Sequence, residues 1–129
     1  MFCLSSMKVG LTPPIDYKTA TAGESYAVGE ALKQSGGKVT LCSGTTKPEY
    51  ICVGPANDAG EVPCVAVQDY MEFQTTLAVA PADSATIGVG DKVTIHTDGM
   101  QVTATKTSGV AQLVRVDGQT VGSVVVVKF

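Results

Sequence analysis

The chain has no tryptophan, one histidine and one arginine, and its aromatic residues are four Tyr and three Phe. So few rings supply a sugar-stacking platform poorly. The nine Lys and Arg residues are scattered and the net charge is -3. A phosphate-binding surface needs clustered cations, so nucleic acid is not an expected partner. No stretch approaches the roughly 18 apolar residues of a membrane span. No CxxC pair occurs among Cys3, Cys42, Cys52 and Cys64, which removes the usual zinc spacing. The glycines are followed by no helix and form no phosphate loop. No sustained 3.6-residue periodicity appears anywhere, so long amphipathic helices are excluded.

Charge is also sparse, at 16% against a typical share of about 25%. Two readings fit: a Gly- and Thr-rich domain with a neutral polar surface, or a surface partly covered by a partner, since interface cores are depleted in charge.

What the chain does have is β-branched residues: 38 of its 129 are Val, Thr or Ile. Such side chains are stiff at χ1 and pack well on a pleated surface. With 14 Gly and six Pro as punctuation, they predict an all-β domain, a compact barrel or sandwich of about nine short, mostly antiparallel strands. Strands are expected at 27–33, 38–42, 50–53, 62–68, 71–79, 86–90, 92–97, 100–106, 110–116 and 120–128. Ser35-Gly36-Gly37 predicts a hairpin, and so do Asp98-Gly99 and Asp117-Gly118. Pro63 points to an edge strand. Val124 to Val127 is apolar on both faces, so it belongs in a central strand or beneath a neighbouring subunit.

Residues 1–25 differ from the 26–129 body. Thr12-Pro13-Pro14-Ile15-Asp16-Tyr17 forbids a helix and favours extended backbone. This segment reads either as a loose terminus or as an extended N-terminal arm that orders on a partner by strand addition. Thr12, Pro13, Pro14, Ile15 and Tyr17 are the candidate contact residues. Ile15 and Tyr17 are the anchors, being bulky and two positions apart on one face. The start carries no basic and apolar leader pattern, and Met7 is a candidate natural start.

Candidates for chemistry are thin. His96 sits beside the Asp98-Gly99 turn with no serine or cysteine presented to it, so a solvent-facing turn histidine is expected rather than a catalytic base. The carboxylates are spread along the chain. Asn57-Asp58-Ala59-Gly60-Glu61 offers oxygens suited to calcium but not the EF-hand spacing. Neither catalytic residues nor a cofactor or metal is expected. Cys42, Cys52 and Cys64 each lie in an apolar run and are expected as reduced core residues.

The run GEAL…SGGKVTLCSGTTKPEYICVG…GEVPCVAVQ…EFQTTLA, over residues 25 to 80, resembles the small capsid decoration, or cement, proteins of tailed bacteriophages. The matching features are Gly29-Glu30-Ala31-Leu32, Gly37-Lys38-Val39-Thr40, Ser43-Gly44-Thr45-Thr46-Lys47-Pro48, Tyr50-Ile51-Cys52-Val53, Val62-Pro63-Cys64-Val65-Ala66-Val67 and Glu72-Phe73. The resemblance implies a non-enzymatic protein on the outer capsid surface of the virion, made in the host cytoplasm. It implies the major capsid protein as partner and self-association, with a trimer favoured over a monomer or dimer. On that reading Thr12 to Tyr17 grip the shell, and deleting residues 1 to 18 abolishes binding while leaving a folded domain. Alternatives are a secreted adhesion or carbohydrate-binding sandwich, a small hydrolase built around His96, and another tail or head-fibre component.

Overall fold

Val, Thr and aromatic residues alternate with turn chemistry along most of the chain, and the computed structural model, which describes residues 1–7 and 12–129, converts that pattern into eleven strands. They are β1 (Cys3–Met7), β2 (Asp16–Thr19), β3 (Ala31–Ser35), β4 (Lys38–Leu41), β5 (Tyr50–Cys52), β6 (Glu61–Ala66), β7 (Met71–Val79), β8 (Lys92–Val93), β9 (Val102–Thr103), β10 (Ala111–Val116) and β11 (Val124–Lys128). No helix occurs among the described residues. One sheet has the order β2-β6-β5-β3-β4 and is antiparallel throughout. The other has the order β1-β7-β11-β10-β8, with β9 alongside β7 in parallel. The architecture is a sandwich and not a closed barrel.

The sheet formed by β2 to β6 is buried on both faces. Ala31, Ile51 and Val65 point towards the other sheet and join its core with Phe73, Leu77, Val93, Ile95, Leu113, Val125 and Val127. On the opposite face Leu32, Val39, Cys52, Val62 and Cys64 close a second, smaller core under Tyr26. The sheet curls to enclose it. An isolated parallel bridge joins Ala20 to Val39, and the Val39 carbonyl accepts from both Tyr26 Oη and Thr21 Oγ1 at 2.8 Å.

Several turns form where expected. Ser35 pairs with Lys38 across Gly36 and Gly37, whose φ values of 58° and 78° are those of a two-residue type I′ loop. At Asp98-Gly99, Asp98 Oδ1 accepts from the backbone N–H of Met100 and Gln101, and His96 N–H bonds the Gln101 carbonyl at 2.8 Å. The Val124–Val127 run also behaves as expected: β11 lies between β7 and β10, and Val125, Val126 and Val127 are all buried.

Elsewhere the structure corrects the sequence reading. The first strand of the body starts at Ala31 and not Ala27, because Ala27–Glu30 is a turn closed by Glu30 N–H to Ala27 C=O and by Ala27 N–H to Glu30 Oε2. Residues 86–90 form no strand. Instead the Gln119 amide brackets Ile87, accepting from its N–H at 2.9 Å and donating to its carbonyl at 2.8 Å, so a side chain replaces a ladder. Asp117-Gly118 is not a tight hairpin. Asp117 is drawn into a two-point contact with the Arg115 guanidinium at 3.0 and 3.1 Å, and the connection runs on to Val124. Pro63 lies in an interior strand, between β2 and β5. The N–H it lacks would face the carbonyl of Val53, one residue past the end of β5, so the bond missing is at the exposed end of the ladder.

Within residues 1–25, β1 and β2 are extended and lie against the body along two ladders. β1 pairs with β7 and β2 with β6. Phe2 is 3% exposed and meets Phe129 edge-on at 5.4 Å, while Phe129 also touches Phe73 at 5.8 Å. Deleting residues 1 to 18 would therefore remove β1, three of the four residues of β2 and a core aromatic, and the remainder would not be an intact domain.

Candidate functional site

Of the five residues singled out from the sequence, Thr12, Pro14, Ile15 and Tyr17 are exposed and Pro13 is half-buried. Ile15 and Tyr17 keep 54% and 58% of their surface in water, which is high for residues of this size. Tyr17 is fixed by β2, where it stands opposite Pro63. The Pro63 carbonyl is taken by the Val53 N–H at 2.9 Å on the other side. Tyr17 and Pro63 thus form a pair without mutual hydrogen bonds, and in an antiparallel ladder the backbone groups of such a residue point away from its partner. The N–H and C=O of Tyr17 face outwards along the free side of β2. Among the described residues, β2 pairs with no second strand on that side, and just past its end Ala20 bridges to Val39 and Thr21 Oγ1 bonds the Val39 carbonyl.

The apolar surface continues from this edge. Tyr17, Pro63 and Val53 lie side by side across three neighbouring chain segments. Beyond Val53 a cavity of about 200 Å³ opens, walled by Met1, Leu4, Val28, Ile51, Val65 and Phe73. Met1, Leu4, Val28 and Val53 are themselves exposed. Among the described residues, six of the ten exposed large apolar side chains thus gather around the two N-terminal strands, while Tyr70, Val79, Val89 and Val121 lie elsewhere in the chain. Sequence reasoning found Ile15 and Tyr17 but not Met1, Leu4, Val28 and Val53. Those four come from three separate segments: the Gly29 N–H bond to the Cys52 carbonyl sets Val28 beside Val53, and the return of β1 to the sheet of β7 adds Met1 and Leu4.

The residues considered for catalysis do not assemble. His96 Nδ1 lies 3.3 Å from Asp98 Oδ1 yet makes no hydrogen bond, the carboxylate oxygen being engaged by two backbone N–H groups. No hydroxyl or thiol among the described residues bonds to His96. The carbonyl-rich turn at 57–61 is self-satisfied: Asn57 Oδ1 accepts from Ala59 and Glu61 N–H at 3.0 and 2.9 Å. No group of three or more His, Cys, Asp or Glu side chains among the described residues is placed to hold a metal.

Buried ionisable groups are few. Burial pushes the Glu30 carboxyl above the ordinary carboxylate range, a shift the Ala27 N–H partly opposes. Burial likewise raises the Cys52 thiol, and it raises Cys42 and Cys64 to about 11 each. All four cysteines are free thiols; only Cys3 is exposed. Protonated buried thiols are poor nucleophiles and behave as small apolar residues. What the geometry offers is a contact surface: an open strand edge beside an apolar hollow. Comparisons of the chain with protein-family models, with curated proteins and with solved structures each returned no match.

Proposed function

We propose that this chain is a capsid decoration protein of a tailed bacteriophage, a non-enzymatic part of the virion that binds the outside of the shell and strengthens contacts between major capsid subunits. The observation that carries the reading is the free edge of β2, where Tyr17 presents both an exposed ring and outward backbone hydrogen-bonding groups next to exposed Ile15 and Val53. An extended segment of a capsid subunit can add to such an edge by main-chain hydrogen bonds and seat apolar side chains alongside. The resemblance of residues 25 to 80 to decoration proteins supports the same reading, and so does the sparse surface charge. A partner that binds only the mature shell stabilises that shell by mass action, which is the physical content of cementing. Self-association, with a trimer favoured, would use surface not engaged by the shell.

The test is co-sedimentation with expanded empty heads assembled from the major capsid protein of the phage that carries this gene. The protein should pellet with expanded heads to a saturable stoichiometry and stay in the supernatant with unexpanded ones. Tyr17→Ala combined with Ile15→Ser should abolish pelleting while leaving the unfolding midpoint in place. A protein that remains soluble beside expanded heads at micromolar concentration refutes the proposal.

A further inference from the structure

Cys52 and Cys64 stand directly opposite each other on neighbouring antiparallel strands, β5 and β6. The Cys52 N–H bonds the Glu30 carbonyl at 2.8 Å, and its own carbonyl accepts from Gly29 N–H at 2.8 Å. Both backbone groups of Cys52 therefore point away from Cys64, and the two form a pair without mutual hydrogen bonds. Across such pairs the Cα atoms approach to about 4.5 Å, within the range of roughly 4.4–6.8 Å that a disulfide spans. Both side chains face the smaller core, fully buried, among Leu32, Val39 and Val62. Cys42 belongs to the other core, and Cys3 is on the exposed edge strand β1.

We infer that Cys52 and Cys64 form an oxidisable pair that closes into a cross-strand disulfide when the protein meets a small peroxide. The chemistry balances with hydrogen peroxide as oxidant. One thiolate attacks a peroxide oxygen, giving a sulfenic acid and, after proton transfer, water. The second thiol then attacks that sulfur, forming the S–S bond and releasing a second water. Two thiols lose two electrons and two protons, and one peroxide becomes two waters. The second step needs a partner thiol within bonding reach, which the register supplies.

Access is through β2. This four-residue edge strand covers Cys64, with Asp16 in register opposite it and the Cys64 Sγ 3.5 Å from the Asp16 carbonyl. Fraying of β2 exposes the thiol first. Because burial holds both thiols in the protonated form, reaction is slow at neutral pH and accelerates about tenfold per pH unit as the thiolate fraction grows. Once closed, the bond ties β5 to β6 across the connection Val53–Pro63.

The experiment uses full-length protein carrying Cys3→Ser, which removes the exposed thiol. After hydrogen peroxide treatment at pH 9, thiol titration of the denatured protein should fall from three groups to one. The intact mass should drop by two hydrogen atoms. A non-reducing peptide map should join Cys52 to Cys64, dithiothreitol should reverse the change, and the thermal midpoint should rise by about 5 °C. The inference is overturned by a sulfinic or sulfonic acid on Cys52 or Cys64 without the link, or by a link to Cys42. It is equally overturned if three thiols survive oxidation in about 2 M urea, where β2 is loosened.

Discussion

Replacing Phe2 by alanine asks whether the first residues are part of the folded unit or an appendage to it. Phe2 is 3% exposed and packs edge-on against Phe129 in the larger core. An aromatic side chain of this kind removes about 150–250 Å² from water. At ~25 cal/mol per Å² that is roughly 4–6 kcal/mol, an upper figure because the unfolded chain already hides some apolar area. Measured Phe→Ala costs in cores run at about 3–5 kcal/mol. Because β1 is the edge strand of its sheet it can relax into the gap, so the low end, about 3 kcal/mol, is expected. Urea unfolding followed by fluorescence of the tyrosines should show the midpoint falling by about 1–3 M, given a slope of about 1–3 kcal/mol/M for small proteins. Ile15→Ser is the paired control: its side chain is exposed, and its cost should stay within about 0.5 kcal/mol. A Phe2→Ala midpoint within about 0.3 M of the parent would refute the docking of β1, since by that slope it corresponds to under about 1 kcal/mol.

Other perturbations address single devices in the fold. Gly109→Ala places a Cβ 2.3 Å from the Lys92 backbone, so it must push β8 away from β10; thermal melting should show a drop equivalent to about 2 kcal/mol or more. Gly99→Ala meets Leu41 Cδ1 at 2.3 Å in a residue with φ of +66°, and should cost about 1–2 kcal/mol in the same assay. Gln119→Ala frees both backbone groups of Ile87, and a loss of about 1–2 kcal/mol is expected, with faster hydrogen exchange confined to residues 85–90. Glu30 has a raised carboxyl pKa in the fold, mainly from burial. The folded state therefore binds this proton more tightly than the unfolded one. Its contribution is fully present below the ordinary carboxylate range and is lost as pH rises through the elevated value. Glu30→Gln, which keeps an acceptor for the Ala27 N–H, should be at least as stable as the parent at pH 7, and the gap should shrink as pH falls towards 4. A parent that outlasts this variant at pH 7 and weakens on acidification would reverse the sign and refute the assignment.

Much of the fold was legible because local chemistry and tertiary demand agree in it. Gly36-Gly37 can only turn one way, and four consecutive valines at 124–127 need cover on both faces, which a central strand provides. The misreadings share one cause: a side chain or a distant strand supplied what local sequence appears to lack. Ile87 is satisfied by the Gln119 amide from 32 positions away, a bond that no pattern near residues 86–90 reveals. Pro63 reads as an edge residue because it lacks a donor, yet the place that donor would occupy lies past the last residue of β5. Asp117-Gly118 has hairpin composition, but Arg115 two residues earlier competes for the aspartate. The site was half legible. Ile15 and Tyr17 announce themselves as large apolar residues after a Pro pair, whereas Met1, Leu4, Val28 and Val53 become one surface through long-range backbone pairing, the Gly29–Cys52 bond and the ladder of β1 with β7. The thiol pair was visible only as two cysteines twelve positions apart; which cysteine faces which is a matter of register.

The order in which the strands are laid down has a consequence for how the chain matures during synthesis. The sheet of β2 to β6 draws on residues 16–66 alone, a continuous block that can collapse while the rest is still being translated. The other sheet cannot. Its first strand precedes that block, the partner of that strand follows some 70 residues after it, and β11, which flanks this partner on the far side, comes about 50 residues later still. Pairings of such long sequence separation are slow because the entropy of closing the intervening chain precedes any gain. Until Val124–Val127 leave the ribosome, the side of β7 that takes β11 stays unpaired and ready to meet another nascent copy, so this half of the molecule is where chaperones would bind and where overexpression would produce aggregates.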